Sequence, residues 1–254
     1  MAPSSRKDLF SAQANVYAAF RPTYPKELYD FIFSRLETKQ KAWDCATGNG
    51  QVAGFLADYF DQVYATDISQ QQLGNAIKKH NIFYSISPGE QTAFEDHQFD
   101  LITVAQALHW FDRGKFYDEA RRVGKEGSLL AIWGYALLYI QPDIDEIIMD
   151  FYSNVVGPYW DEARRLVEDE YRSLSFPFKE IKSPRFNITS TWTLNHLAGY
   201  LESWSATQKY IRQTGHNPLP DVLAQLQKVW NPDNYQDSDS KPVRFPVFLK
   251  LFRM

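Results

Sequence analysis

Apolar positions along this chain switch between two spacings, and over the first half they do so regularly. Residues 8–21 place Leu9, Phe10, Ala14, Tyr17 and Ala18 at helical intervals and stop at Arg21-Pro22; Pro25 then opens a second helix through Leu28, Phe31, Ile32 and Leu36. The short run Ala42-Trp43-Asp44-Cys45 predicts a first strand, and Val52, Phe55, Leu56 and Phe60 share one face of the helix expected after it. Gln62-Val63-Tyr64-Ala65-Thr66-Asp67 predicts a second strand, again closing on an acid, with Ser69 suited to cap the helix that carries Leu73 and Ile77. Residues 81–86 read as a third strand, Phe99-Asp100-Leu101-Ile102-Thr103-Val104-Ala105 as a fourth, 114–124 as a helix and 128–133 as a fifth strand.

Strand and helix repeating with short connections predict an α/β fold whose parallel sheet is covered on both faces. Ligands of such sheets sit beyond the carboxyl ends of the strands, and Asp44, Asp67, Gly89 and Gln106 fall at four of those ends. After Gly134 the alternation stops. Residues 142–156 and 160–172 read as helices, 178–190 as extended, 194–210 and 221–230 as helices, 231–242 as a polar loop and 243–253 as a closing strand, in which Pro246 predicts a bulge or weak pairing. The chain thus divides into an N-terminal lid with the first helices (1–38), a core (39–133), a cap insertion (134–178) and C-terminal strands (179–254) with inserted cap helices over 193–231.

Composition narrows the function. The 254 residues are 44% apolar, as in folded globular proteins, and the 18 Phe, 15 Tyr and 7 Trp can fill a core or line a pocket. A net charge of −4 with isolated basic pairs argues against a nucleic-acid partner. Cys45 is the single cysteine, so no intramolecular disulfide forms; the five histidines lack metal-ligand spacing, and no metal is expected. With no signal-like segment and no run of membrane-spanning length, a cytoplasmic protein, monomer or homodimer, acting on a small molecule is expected.

The chemistry concentrates in Asp44-Cys45-Ala46-Thr47-Gly48-Asn49-Gly50, between the first strand and its helix. Glycines let the backbone turn sharply and approach a ligand, toward which the N–H groups of the next helix point. A plain turn is one reading. A dinucleotide loop is another, since Gly48-x-Gly50-x-x-Ala53 fits that fingerprint and Asp67 lies near the position of a ribose-binding acid. Asp44 argues against it, because a pyrophosphate would be repelled. An acid there suits S-adenosylmethionine, which carries an ammonium and a sulfonium and no phosphate.

This stretch resembles the Asp-x-Gly-x-Gly-x-Gly motif of the class I S-adenosylmethionine-dependent methyltransferases, with Ala46 at the first glycine, where the backbone angle must be one alanine tolerates. The resemblance implies a Rossmann-like, seven-stranded, mostly parallel sheet (order 3214576, last strand antiparallel) under a helical cap. It also implies S-adenosylmethionine as cofactor, S-adenosylhomocysteine as product, and a site built from Asp44, Ala46, Gly48 and Gly50. In it Asp67 would bind the ribose hydroxyls with Ile68 beside it, Gly89-Glu90 would meet adenine, and Ala105 and Gln106 would follow the fourth strand. Pro88 stands where many members carry an acid. Tyr17-Ala18-Ala19-Phe20-Arg21-Pro22-Thr23-Tyr24-Pro25, Gln106-Ala107-Leu108-His109-Trp110-Phe111 and Ser203-Trp204-Ser205-Ala206-Thr207-Gln208 are similar to the type 11 group, nearest its trans-aconitate methyltransferase-like branch. There the N-terminal segment folds over the cofactor, placing Tyr17 and Arg21 near its carboxylate end.

The expected reaction is methyl transfer to a small polar or acidic metabolite, as O-methylation of a carboxylate. C- or N-methylation of a quinone-like or amine molecule, and cofactor binding without catalysis, are the alternatives. His109 separates them: as a base it suits an acceptor that carries a proton, as a packed or hydrogen-bonding group it suits a carboxylate, which needs no base. Trp110, Trp133, Tyr152 and Trp160 are the candidate pocket walls. A carboxylate acceptor asks for an arginine on a second acidic group, with Arg164, Arg165, Arg185 and Arg212 equally open.

Overall fold

The structure, a computed structural model, describes residues 22–231, 236 and 239–254. The helix expected over 8–21, with Tyr17 and Arg21, lies outside the described residues. The strands are β1 (Lys41–Cys45), β2 (Gln62–Asp67), β3 (Ile82–Ile86), β4 (Phe99–Ala105), β5 (Gly124–Tyr135), β6 (Lys179–Ile181), β7 (Phe186–Thr193) and β8 (Ser240–Arg253). The α-helices are α1 (Lys26–Phe33), α2 (Gln51–Leu56), α3 (Gln70–Gly74), α4 (Arg113–Val123), α5 (Pro142–Asp150), α6 (Arg164–Glu168), α7 (Leu194–Glu202), α8 (Ser205–Thr214) and α9 (Leu219–Trp230).

One sheet runs in the order β3-β2-β1-β4-β5-β8-β6, and β7 also pairs with β8. The β1–β2, β1–β4, β2–β3 and β4–β5 pairs are parallel, whereas β8 is antiparallel to β5, β6 and β7. The expected sixth strand is therefore present as two: β6 meets the end of β8 at Leu251–Arg253, and β7 meets its beginning. Pro184, in the link between them, cannot donate to a ladder. Counted as one broken edge strand, β6 and β7 complete the expected 3214576 order, so the count rises to eight without a change of topology.

β4 is buried along its whole length except at Ala105, and β5 from Ser128 onward. A strand covered on both faces reads as a continuous apolar run, and its side chains divide between the faces with a period of two. Ala42, Leu101, Leu129, Ala131 and Trp133 join one core cluster; Trp43, Ile102, Leu130 and Ile132 join the other. Hydroxyl and carboxylate caps start the helices where expected: Ser69 accepts from Gln72 N–H, Asp112 from Lys115 N–H and Thr193 from His196 N–H.

Three expectations change. Pro246 makes no bulge; the β7–β8 register is continuous through Asn187↔Pro246. Its carbonyl accepts Ala136 N–H just past the end of β5, so its missing N–H faces the side where the β5 ladder has stopped. The helix expected over 160–172 shrinks to α6, because Glu170 and Tyr171 adopt left-handed φ of 54° and 56°. Residues 194–210 break at Ser203 and Trp204 into α7 and α8. Helices α5 to α9 form a cap, and α5 runs into a π-helical turn over Phe151–Val155.

Candidate active site

A cleft of about 520 Å³ opens beyond the carboxyl ends of β1, β4 and β5. Asp44, Ala46, Thr47, Gly48 and Asn49 form its floor, with Gln51 and Val52 of α2; Ala105, Gln106 and Tyr135 form one wall, and Pro22 and Tyr24 the other.

The loop after β1 is held by its own acids. Asp44 is 1% exposed, and its carboxylate accepts from the Thr47 hydroxyl (2.5 Å), the Thr103 hydroxyl (2.8 Å) and the Ala53 N–H (3.1 Å). Burial pushes its pKa up to about 6 against the pull of those three hydrogen bonds, and the nearby Asp67 raises it further. Asp67 at the end of β2 accepts from Gly48 N–H (2.9 Å) and Ser69 N–H (2.8 Å). Thr47 N–H donates to the Thr66 carbonyl and Gly50 N–H to the Thr47 carbonyl. The N–H groups of residues 47, 48, 50 and 53 are thus committed to the protein. This corrects the expectation that the α2 N–H groups all point at a ligand: the Ala53 N–H is bound by Asp44.

Backbone geometry explains the residue choices. Ala46 has φ of 55°, as does Gln106 at the opposite wall, and Gly48 has 57°. A side chain at Gly48 would meet nothing within 4 Å, so its free face looks into the cleft. Gly50 is different: a Cβ there would lie 2.4 Å from the Tyr84 hydroxyl, so this glycine serves packing, and it does not line the cleft. Gln106 is fixed by its N–H to the Trp133 carbonyl (2.9 Å) and its side-chain amide to the Tyr135 carbonyl (3.2 Å).

The expected adenine-side residues flank the cleft without lining it. Ile68, next to Asp67, is 47% exposed. Gly89 is buried, and a Cβ on it would fall 2.6 Å from Cys45 Sγ. Glu90 accepts Asp112 N–H at 2.9 Å, which ties the β3 exit loop to the segment after β4.

Of the remaining candidates, His109 sits in the turn Leu108–Trp110, with its Nδ1 joined to the Tyr171 hydroxyl by a 3.0 Å hydrogen bond. Burial first, and the Arg164 charge second, push its pKa down to about 3, so the imidazole is neutral. Trp110 packs beside it at 4.8 Å between ring centroids. Trp133 is 0% exposed; it lies behind the cleft, edge-on to Tyr24 and Tyr29, rather than on its surface. Tyr152 and Trp160 come together in the cap at 5.0 Å, both packed on Trp204. Tyr24 and Tyr135 also line the cleft, beyond the residues the sequence points to: Tyr24 belongs to the N-terminal motif, and Tyr135 lies one period of two beyond Trp133 on β5.

Both acids of the cleft region are carboxylates, and no Lys, Arg or His is among the lining residues described. A pyrophosphate would find no cation among the described lining residues and a buried carboxylate beneath it. A cationic, phosphate-free nucleoside fits, which is the chemistry of S-adenosylmethionine. Among the described residues no group of three or more His, Cys, Asp or Glu could hold a metal, and no helix is long and apolar enough to cross a membrane.

Comparison with known proteins agrees with this chemistry. Residues 43–132 match a methyltransferase domain family. A Dictyostelium discoideum protein named as a methyltransferase is 34% identical over 98% of this chain and 96% of its own length. A methyltransferase of Aspergillus candidus is 26% identical over 72% of this chain and 66% of its own. A solved structure from Anaeromyxobacter dehalogenans, described as a type II methyltransferase, superposes with a TM-score of 0.84 at 32% identity, covering 92% of this chain and 98% of that one.

Proposed function

Because the chain belongs to the class I S-adenosylmethionine-dependent methyltransferases, we propose that it methylates a carboxylate oxygen of a small acidic metabolite, in the manner of the trans-aconitate methyltransferase-like branch. S-adenosylmethionine supplies a methyl carbon already activated by its sulfonium, so the protein has to align the acceptor and keep water out. The acceptor oxygen forms the new O–C bond as the C–S bond breaks, the electron pair goes to sulfur, and no proton moves.

Asp44 places negative charge beneath the cationic end of the cofactor, and the open face of Gly48 lets it approach. Asp67, at the end of β2 and held by Gly48 and Ser69 N–H, takes the ribose hydroxyls. The exposed Ile68 covers the base, with Gly89 and Glu90 on its far side. Ala105 and Gln106 close the β4 wall, and Pro22, Tyr24 and Tyr135 shield the methyl group from water. Tyr17 and Arg21 are assigned to the cofactor's carboxylate end by resemblance alone. Trp110, Tyr152 and Trp160 face the acceptor side, whereas Trp133 supports Tyr24 from behind. A net charge of −4 and the narrow cleft favour a small acceptor over a nucleic acid, and the lone buried thiol of Cys45 suits the cytoplasm.

His109 carries the choice of acceptor. With its pKa near 3 and one ring nitrogen on Tyr171, the imidazole has little drive to take a proton from an ammonium, phenol or carbon acid. A carboxylate is already ionised. The test is a mass-spectrometric screen of organic acids with S-adenosylmethionine. A product heavier by one methyl and cleaved by alkali, formed by wild type and by His109→Asn alike, is the expected result. An alkali-stable product, or a loss of about a hundredfold or more in His109→Asn with cofactor binding intact, would overturn the reading.

A further inference from the structure

We propose that β3 is an interface strand: two copies of this chain pair along it, edge to edge and antiparallel, about a two-fold axis at Tyr84. β3 ends the sheet and is paired on one side only, with β2. Val63 N–H donates to the Asn81 carbonyl and Ser87 N–H to the Asp67 carbonyl, so the odd-numbered residues of this stretch turn their backbone groups toward β2. Ile82, Tyr84 and Ile86 therefore turn theirs outward. The Ile82 N–H donates to the Lys79 carbonyl at 3.2 Å, whereas the Ile82 carbonyl and both backbone groups of Tyr84 and Ile86 have no partner among the described residues.

An open edge is ordinarily guarded by short length, charge or proline. The opposite end of the sheet follows that rule: β6 has 3 residues, and two of them are Lys179 and Glu180. β3 does not. Residues 81–87, Asn-Ile-Phe-Tyr-Ser-Ile-Ser, carry neither charge nor proline, and Phe83 and Ile86 are 45% and 60% exposed. Free donors and acceptors flanked by uncovered apolar side chains make an edge built to be paired.

A second copy is the occupant because the strand complements itself. With Tyr84 opposite the partner's Tyr84, each N–H donates to the other's carbonyl, and Ile86 N–H donates to the carbonyl of the partner's Ile82; the two-fold makes each bond twice. Phe83 then falls opposite the partner's Ser85 and diagonal to the partner's Phe83, at the roughly 7–8 Å where aromatic rings still meet. Ile86 comes beside the partner's Ile82 on the other face. Charge agrees with this direction. The chain enters β3 through Lys78-Lys79-His80 and leaves it through Glu90; with Lys79 held by Asp58, antiparallel pairing sets Lys78 toward the acidic exit of the other copy. The two-fold also closes both edges, so the assembly stops at a dimer.

Sedimentation equilibrium of the full chain, from micromolar to submillimolar protein, is the test, since a strand pair of this length makes a small and transient interface. Wild type passes from monomer to dimer over the series. Ile86→Pro removes an outward N–H where an edge strand accommodates proline, and Phe83→Lys sets like charges across the two-fold; each weakens the dimer about tenfold or more. Cooperative thermal unfolding shows that both variants are folded. A nitroxide on Ser85→Cys reports the register without disturbing the edge bonds, because Cys45 is buried and stays unlabelled. Its spectrum broadens by dipolar coupling as the dimer forms. Wild type that stays monomeric throughout, a dimer that both edge variants leave at full strength, or a dimer without broadening at position 85 overturns the proposal.

Discussion

The Asp44 carboxylate accepts the Thr103 hydroxyl at 2.8 Å across the β1–β4 pair, beneath the floor of the cleft. With Thr47 and Ala53 this bond holds an acid in a fully buried site, and burial lifts its pKa to about 6. A group whose folded pKa exceeds its unfolded value adds stability that is complete below the unfolded pKa and lost as pH rises through the folded one. The ligand-free protein therefore loses on the order of 3 kcal/mol from this group between about pH 4 and pH 6. A cationic cofactor favours the ionised acid, so its affinity falls as pH drops below about 6, approaching tenfold per pH unit. Calorimetry with S-adenosylmethionine across that range checks this, and a flat affinity would contradict it.

Ala46 occupies a left-handed conformation that glycine takes without cost. Ala46→Gly should stabilise the fold by about 1 kcal/mol, a rise of about 2–4 °C in Tm. Thermal unfolding measures this. No rise would mean that the loop relaxes around alanine.

Gly89 is packed against Cys45, 2.6 Å from the site of an added Cβ, and against the Phe111 ring at 3.2 Å. Gly89→Ala should cost about 1–3 kcal/mol by overpacking. Adding Cys45→Ala removes the sulfur and should recover part of that loss. Denaturant unfolding of the two single variants and the double variant reads the coupling, and strictly additive effects would place the strain elsewhere.

The fold was legible because β1, β4 and β5 are apolar on both faces, and the acids and glycines at the strand ends stood out against them. Ala46 was not legible: an alanine at the glycine position asks for an angle alanine tolerates, whereas the structure gives it a left-handed φ of 55°. Asp44 was legible in part. The sequence marked it as an acid near the ligand, but its three donors come from residues 47, 53 and 103, and the last is set only by the β1–β4 register. The arginines could not be ranked from sequence because Arg185 is removed from contention by Glu170, fifteen positions away on a left-handed turn. Trp133 reads as a wall because it ends an apolar strand run; β5 continues two residues further, and Tyr135 takes the position on the cleft.

The most direct test of the account is calorimetric titration of S-adenosylhomocysteine into wild type and Asp67→Ala. Saturable binding to wild type, weakened about tenfold or more when the Asp67 carboxylate is lost, is the predicted result. Absence of saturable binding to wild type, or an unchanged affinity in Asp67→Ala, would contradict the assignment of this cleft to the cofactor.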